Sequence, residues 1–270
     1  MQSSGEDPVG FVGSINEESS VTDAAGSIRN ALDFDIEERR QCPTWIEALR
    51  RFIHRAEKVG ILVMVNSIVG NNTHRNLSPD EFRGFALIDE FAPLVFINGA
   101  DTKAAQMFTL AHEIVHIWIG KSALSDAALN RRSSHATERW CNQVAAEFLV
   151  PLANIRAEYR RDADLRSELN RLARRFKVST LVVLRRIYDA GALSREAFQE
   201  AYQDELRLLQ QQKQRKEEQE EGHPTFYPVA ALRVSHRFAR ALVASTLEGK
   251  TLYRDAFRML GVSSYLPFRN

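Results

Sequence analysis

The sequence predicts an α+β protein: a small antiparallel β-sheet packed against a mainly helical core, with further helices toward the C-terminal end. Three observations predict it. The runs GILVMVN (60–66), FRGFALID (82–89) and APLVFIN (92–98) are short, rich in Val, Ile and Phe, and separated by turn residues, as strands are. Apolar residues recur at helical spacing on both sides of these runs, for example Trp45, Leu49, Phe52, Ile53 and Ala56. The composition, 44% hydrophobic and 26% charged over 270 residues, is that of a globular chain able to bury a sizeable core.

Residues 1–20, rich in Gly, Ser, Glu and Asp, are expected to lack structure, and 21–33 to form a short helix. DFDIEERRQCP reads as a linker ending at Pro43, followed by a helix over 44–58. The second and third apolar runs are close enough to form a hairpin, and VGNNTHRNLSPDE, before them, reads as a polar loop. From Asp101, a plausible N-cap, to Ile119 the pattern is helical, with Gly120 as the stop. Residues 121–135 are polar and irregular; a second helix is expected from Ala136 to Val150, ending at Pro151. Further helices are expected at 152–175, 179–189, 194–218, 229–247 and 250–260. The highly charged QQQKQRKEEQEEG (210–222) reads as a solvated helix end or linker.

The formal net charge of +1 gives no global field that would favour nucleic acid or a membrane. Two cysteines far apart, Cys42 and Cys141, make no disulfide framework. MQSSGEDPVG lacks the basic and apolar regions of a signal peptide, and no run of about 18 apolar residues occurs. A cytoplasmic protein without membrane partners is therefore the expectation.

The chemistry sits in AAQMFTLAHEIVHIWIG, which carries H-E-x-x-H at 112–116. On a helix, positions i and i+4 project to one side, so His112 and His116 can share one metal ion while Glu113 stands beside it as a base. The helix around them is apolar nearly all round, hence buried, and two histidines and a glutamate are costly to bury without partners. Three protein ligands with one open position mark a catalytic zinc site. Ile119 and Ser122 stand where a metzincin needs Gly and His, which excludes that class. The next helix offers Glu138 and Glu147, nine positions apart and so on opposite faces. Glu138 is preferred as the third ligand, because Asn142, Ala145 and Leu149 continue its stripe and Ala145 and Ala146 permit close approach. Asn142 is expected to orient the site by hydrogen bonding. Asp126 and His135 are weaker ligand candidates, and His54 and His74 read as surface or loop histidines. Zinc is the expected metal, and a His2Glu set also accepts manganese.

HEIVH (112–116), ERWCNQVAAEFLVP (138–151) and the lead-in GFALID and APLVFING resemble the ImmA/IrrE family of metallopeptidases over about 44–190. The family pairs H-E-x-x-H with E-x-x-x-N-x-F/V-A-x-x-L-x-P, and its third ligand is the glutamate opening that block, which corresponds to Glu138. The resemblance implies a zinc endopeptidase that cuts a specific bacterial regulator, a transcriptional repressor or an antitoxin, in stress responses, mobile elements or toxin–antitoxin control. Many members carry an N-terminal helix-turn-helix domain; residues 1–42 are too short and polar for one. The expected organisation is a disordered or partly helical segment at 1–42, a zinc metallopeptidase core at 43–160, and a helical extension at 161–212. A charged linker at 213–224 and a C-terminal helical segment at 225–270 follow.

The competing reading is a metal-containing binding module that holds or neutralises a partner protein without cutting it; retention of Glu113 favours the enzyme. LNRLARRFKVSTLVVLRRIYDAG (169–191) has a helix-turn-helix outline, but its second helix is mostly apolar and reads as core packing. No direct sequence-specific DNA binding is expected. Arg233, Arg237 and Arg240 share a helix face that reads as solvated.

Overall fold

Side-chain caps set most of the helix starts. In the computed structural model, which describes residues 7–69, 72–121, 131–219 and 234–261, Ser20, Asp35, Thr44, Thr102, Asp164 and Ser179 each accept a hydrogen bond from a backbone N–H just inside the helix they precede. The helices so opened are α1 (Val21–Leu32), α2 (Ile36–Gln41), α3 (Trp45–Lys58), α4 (Lys103–Ile119), α7 (Leu165–Phe176) and α8 (Thr180–Asp189). Between α4 and α7 lie α5 (Arg131–Leu149) and α6 (Leu152–Glu158); α9 (Arg195–Gln219), α10 (His236–Leu247) and α11 (Tyr253–Leu260) follow α8. The strands, all between α3 and α4, are β1 (Leu62–Asn66), β2 (Ile68–Val69), β3 (Asn72–Asn76), β4 (Gly84–Leu87) and β5 (Leu94–Asn98). Among the described residues, no helix is long and apolar enough to cross a membrane.

The α+β class holds, with one correction to the sheet. Its order is β1-β5-β4: β4 and β5 form the expected antiparallel hairpin, but β5 inserts beside β1 in parallel, with Leu62 opposite Leu94 and Asn66 opposite Asn98. The sheet is therefore mixed. The 27-residue excursion from Ser67 to Pro93 is long enough to return the chain to the same end, which a parallel pair requires. Val95 and Ile97 turn to the core, while Phe96 stacks on its cross-strand neighbour Phe85 at 5.2 Å on the other face. Helix α4 lies on β4 and β5, α3 covers β1 and α4, and α5 crosses α4 and α1.

Other expectations need correction. The polar loop before β4 contains the small antiparallel pair β2–β3. The expected linker at 33–43 contains α2, and Arg39 and Cys42 are both buried there while Phe34 stacks on Phe52 at 4.8 Å. The stretch 152–175 is two helices, α6 and α7, separated by a turn. Thr102, not Asp101, caps α4, and Asp101 accepts from the Thr102 N–H at 2.8 Å instead. Helix α5 begins at Arg131, earlier than expected, while 122–130 lie outside the described residues. The charged stretch at 210–222 continues α9 as far as Gln219.

Residues 1–20 are expected to lack structure, but their described part, 7–20, is packed against the core. Phe11 stacks on Trp118 at 4.2 Å, and the Gly13 and Ile15 N–H groups donate to the Ile117 and Trp118 carbonyls at 3.2 and 3.1 Å. Composition concealed this, because only a few apolar residues, Val9, Phe11, Val12 and Ile15, do the anchoring.

The C-terminal end of α5 is held by arginines from three other helices. Arg29 donates to the Glu147 and Phe148 carbonyls at 3.0 and 3.4 Å, Arg39 to that of Leu149, and Arg186 to that of Val150 at 2.7 Å. These are the carbonyls a helix end leaves without intrahelical partners, and cations suit that end of the helix dipole. Arg186 is also paired with the buried carboxylate of Glu147.

Candidate metal centre

Helix α4 reaches the core because its apolar residues leave almost no polar face: Met107, Leu110, Ile114, Ile117 and Trp118 are all buried. Its start is fixed by Gln106, a buried side chain whose Nε2 donates to the Gly99 and Asp101 carbonyls at 3.0 and 2.6 Å. Its end is fixed by Gly120 at φ 67°, a left-handed conformation that glycine adopts without strain. Within this frame His116 is buried and His112 nearly so.

The structure brings His112, His116 and Glu138 together. The two Nε2 atoms stand 3.1 Å apart; Glu138 places Oε2 at 3.1 Å from His112 Nε2 and Oε1 at 3.2 Å from His116 Nε2. Ligands about 2.0–2.2 Å from a tetrahedral zinc stand roughly 3.3–3.5 Å from one another, so these spacings are slightly tighter than a zinc-centred face and of the right size. The donor set, two imidazoles and a carboxylate, is also that of a catalytic zinc. His116 Nδ1 lies 3.0 Å from the Lys121 carbonyl, an acceptor, so Nδ1 carries a hydrogen and Nε2 is the nitrogen that faces the cluster. Hydrogen bonds from His112 and His116 hold the Glu138 carboxyl well below the usual carboxylate range. Burial opposes charging of His116, but its contacts with Cys141 and Glu138 outweigh this and push its pKa up to about 11.

Glu113 sits at the free edge of the sheet. Burial pushes its carboxyl up from the ordinary value, against the pull of His112 and His116, and the Ala86 N–H donates to it. Its Oε2 has no hydrogen-bond partner among the described residues. Gly84 permits this closeness: a Cβ there would meet Thr109 Cγ2 at 2.6 Å and the Phe96 carbonyl oxygen at 2.7 Å.

Glu147 faces away from the site, into its ion pair with Arg186 and a hydrogen bond from the Leu152 N–H at 3.2 Å. Ala145 is buried on α5, which packs on both α4 and α1. Asn142 is exposed and makes no hydrogen bond with the described residues. The contacts behind His116 come instead from the Lys121 carbonyl and from Cys141, whose Sγ is 4.0 Å from Nδ1. Neither had a readable signal: a backbone carbonyl has no residue type, and a buried cysteine resembles any small core residue. His54 and His135 are exposed, and Asp126 lies outside the described residues.

The helix-turn-helix outline is made by α7 and α8, joined through Lys177 at φ 54°. Val183, Leu184 and Ile187 of α8 are core, Arg186 is buried against Glu147, and Arg185 pairs with Asp189 at 2.9 Å. Arg237, on α10, lies against Gly60, Arg240 is exposed, and Arg233 is outside the described residues.

Residues 56–188 match the model of the IrrE N-terminal-like domain, Peptidase_M78, a span that holds the sheet, α4 and α5. Residues 234–269 match a domain of unknown function, DUF8813. Comparison with curated proteins returns no match. The first of these matches covers both halves of the motif, HEIVH and ERWCNQVAAEFLVP, together with the strands that lead into them, and by it residues 56–188 belong to the ImmA/IrrE family, which points to a metallopeptidase.

Proposed function

We propose that this protein is a zinc-dependent endopeptidase that cuts a specific bacterial regulator, a transcriptional repressor or an antitoxin. The observation that carries the reading is the convergence of His112, His116 and Glu138 donor atoms within 3.1–3.2 Å on two buried helices, with the Glu113 carboxyl beside them. His112, His116 and Glu138 hold the metal. Zinc there supplies a Lewis acid that polarises a peptide carbonyl and acidifies water. Glu113 takes the proton from the attacking water and passes it to the leaving amine. Its burial favours that role, since a carboxyl raised above the ordinary range accepts a proton more readily. Arg171 of α7 and Arg185 and Arg186 of α8 are paired within the fold, which supports a protein partner over sequence-specific DNA binding.

Glu113→Gln tests the reading. It keeps the shape of the side chain and leaves the ligands untouched, so metal content stays at the wild-type level. Cleavage of the physiological partner in cells drops by about 10²–10⁴-fold, the usual worth of general acid–base catalysis. His112→Ala, which loses metal, is the control. A partner that is processed normally with Glu113→Gln but not with His112→Ala would sink the enzymatic reading and leave a metal-containing binding module. Capture of the uncut partner on the Glu113→Gln protein identifies it.

A further inference from the structure

The N-terminal strap ends beside the metal centre, and its Glu17 carboxylate there touches Lys121, just past the end of α4, and Thr137 of α5. Glu17 Oε1 accepts from Lys121 Nζ at 2.6 Å and from Thr137 Oγ1 at 2.9 Å. Lys121 is the residue whose carbonyl lies 3.0 Å from His116 Nδ1, and Thr137, itself buried, immediately precedes Glu138. We propose that Glu17 is a positioning residue for the metal centre, clamping the C-terminal end of α4 to the first described turns of α5 so that His116 and Glu138 are held in register. The inference rests on the reading of His112, His116 and Glu138 as metal ligands.

The strap is built for such a clamp. It is fixed to α4 by the Phe11–Trp118 stack and the Gly13 and Ile15 hydrogen bonds described above. Its closest approach is glycine on glycine: a Cβ at Gly120 would stand 3.1 Å from the Gly13 Cα. It is fixed to α5 by Trp140, whose Nε1 donates to the Ser19 carbonyl at 3.4 Å. Between those two anchorages Glu17 offers a single oxygen to a donor from each side. That matters for the metal because the Lys121 carbonyl sets which nitrogen of His116 carries the hydrogen. A shift of Lys121 releases the ring, and a shift of Thr137 moves the Glu138 backbone. The Glu17–Lys121 pair is solvent-accessible, with 28% and 52% of the side chains exposed, and pairs of that kind add little to global stability. A positioning role and a stabilising role therefore separate experimentally.

The test is zinc affinity, measured by competition with a chelating dye, alongside the urea unfolding midpoint of the metal-free protein. Glu17→Ala should weaken zinc binding by about 10-fold, the lower end of the range for residues that orient metal ligands. The metal-free midpoint should stay close to wild type. Glu17→Gln retains an oxygen that can accept both hydrogen bonds and should bind zinc within about threefold of wild type. Thr137→Val, which removes only the second arm at equal volume, should weaken zinc binding in the same direction as Glu17→Ala. The inference is overturned if Glu17→Ala binds zinc like wild type, if Glu17→Gln is no better than Glu17→Ala, or if the loss of affinity is matched by a fall in the metal-free midpoint. A wild-type protein that takes up no zinc overturns the metal reading itself, a result distinct from all of these.

Discussion

Two glutamates nine residues apart on α5 should fail in opposite ways. Glu138 is about one-third exposed, and Glu147 is buried against the buried Arg186. Replacing Glu147 with alanine leaves the buried Arg186 guanidinium with only its longer carboxylate contact, to Asp189 at 3.5 Å. It also removes the acceptor of the Leu152 N–H. Breaking a buried ion pair from one side costs about 3–5 kcal/mol, a large part of the roughly 5–15 kcal/mol that holds a typical domain folded. Glu138 is partly solvent-exposed, so Glu138→Ala should change the stability of the metal-free protein by less than about 1 kcal/mol. Zinc binding should show the reverse: lost with Glu138→Ala, kept with Glu147→Ala at temperatures where that variant is folded. Urea unfolding of the metal-free proteins and elemental analysis of the loaded ones measure the two axes. The Glu147→Leu, Arg186→Met double variant should recover much of the lost stability, though the Val150 carbonyl then lacks its donor, at about 1–3 kcal/mol. Glu147→Ala costing less than about 1 kcal/mol would show that solvent reaches Arg186 and would refute the burial argument.

Gly84→Ala forces a methyl against the Phe96 carbonyl oxygen, a backbone atom that cannot swing aside, and should cost about 1–3 kcal/mol in urea unfolding; a neutral result would mean that β4 can lift from α4. The Glu168 carboxyl is held below its ordinary value of 4.5, chiefly by its hydrogen bond with Arg171 and also by the Arg160 N–H. A lowered carboxylate stabilises the fold above its unfolded value and loses that contribution as the pH falls through the folded one. The stability difference between wild type and Glu168→Gln should therefore be full at pH 7 and shrink progressively below about pH 4.5; a difference that stays constant down to pH 3 would mean that the charge on Glu168 contributes nothing.

What could be read from the sequence was what repeats at a local period. The helical spacing of α3 and α4, the H-E-x-x-H ligands and the opposite faces of Glu138 and Glu147 all follow from 3.6 residues per turn. What could not be read depended on partners far along the chain. Strand β5 inserts next to β1 because of where β4 leads it, and no pattern within LVFIN encodes the direction of its neighbour. Residues 7–20 look polar, yet Phe11 finds Trp118 more than a hundred positions away. Arg39 reads as solvated in DFDIEERRQCP and is buried because the end of α5 supplies a carbonyl for it. Asn142 stands four positions after Glu138 and on its stripe by spacing, but spacing does not say how far the covering neighbour extends, and its place is in solvent.

The arginine cap on α5 also bears on the order in which the chain can assemble. Two of its donors, Arg29 and Arg39, lie more than a hundred residues before the carbonyls they serve, and Arg186 lies 36 after Val150. The last turn of the helix that carries Glu138 therefore waits on contacts of high sequence separation, which form late because the loops they close are long. The matched span 56–188 excludes Arg29 and Arg39. A chain cut to that span keeps every residue of the metal cluster, but leaves the Glu147, Phe148 and Leu149 carbonyls without the guanidiniums that meet them. A piece limited to the family signature is therefore expected to be less stable than one that also includes α1 and α2.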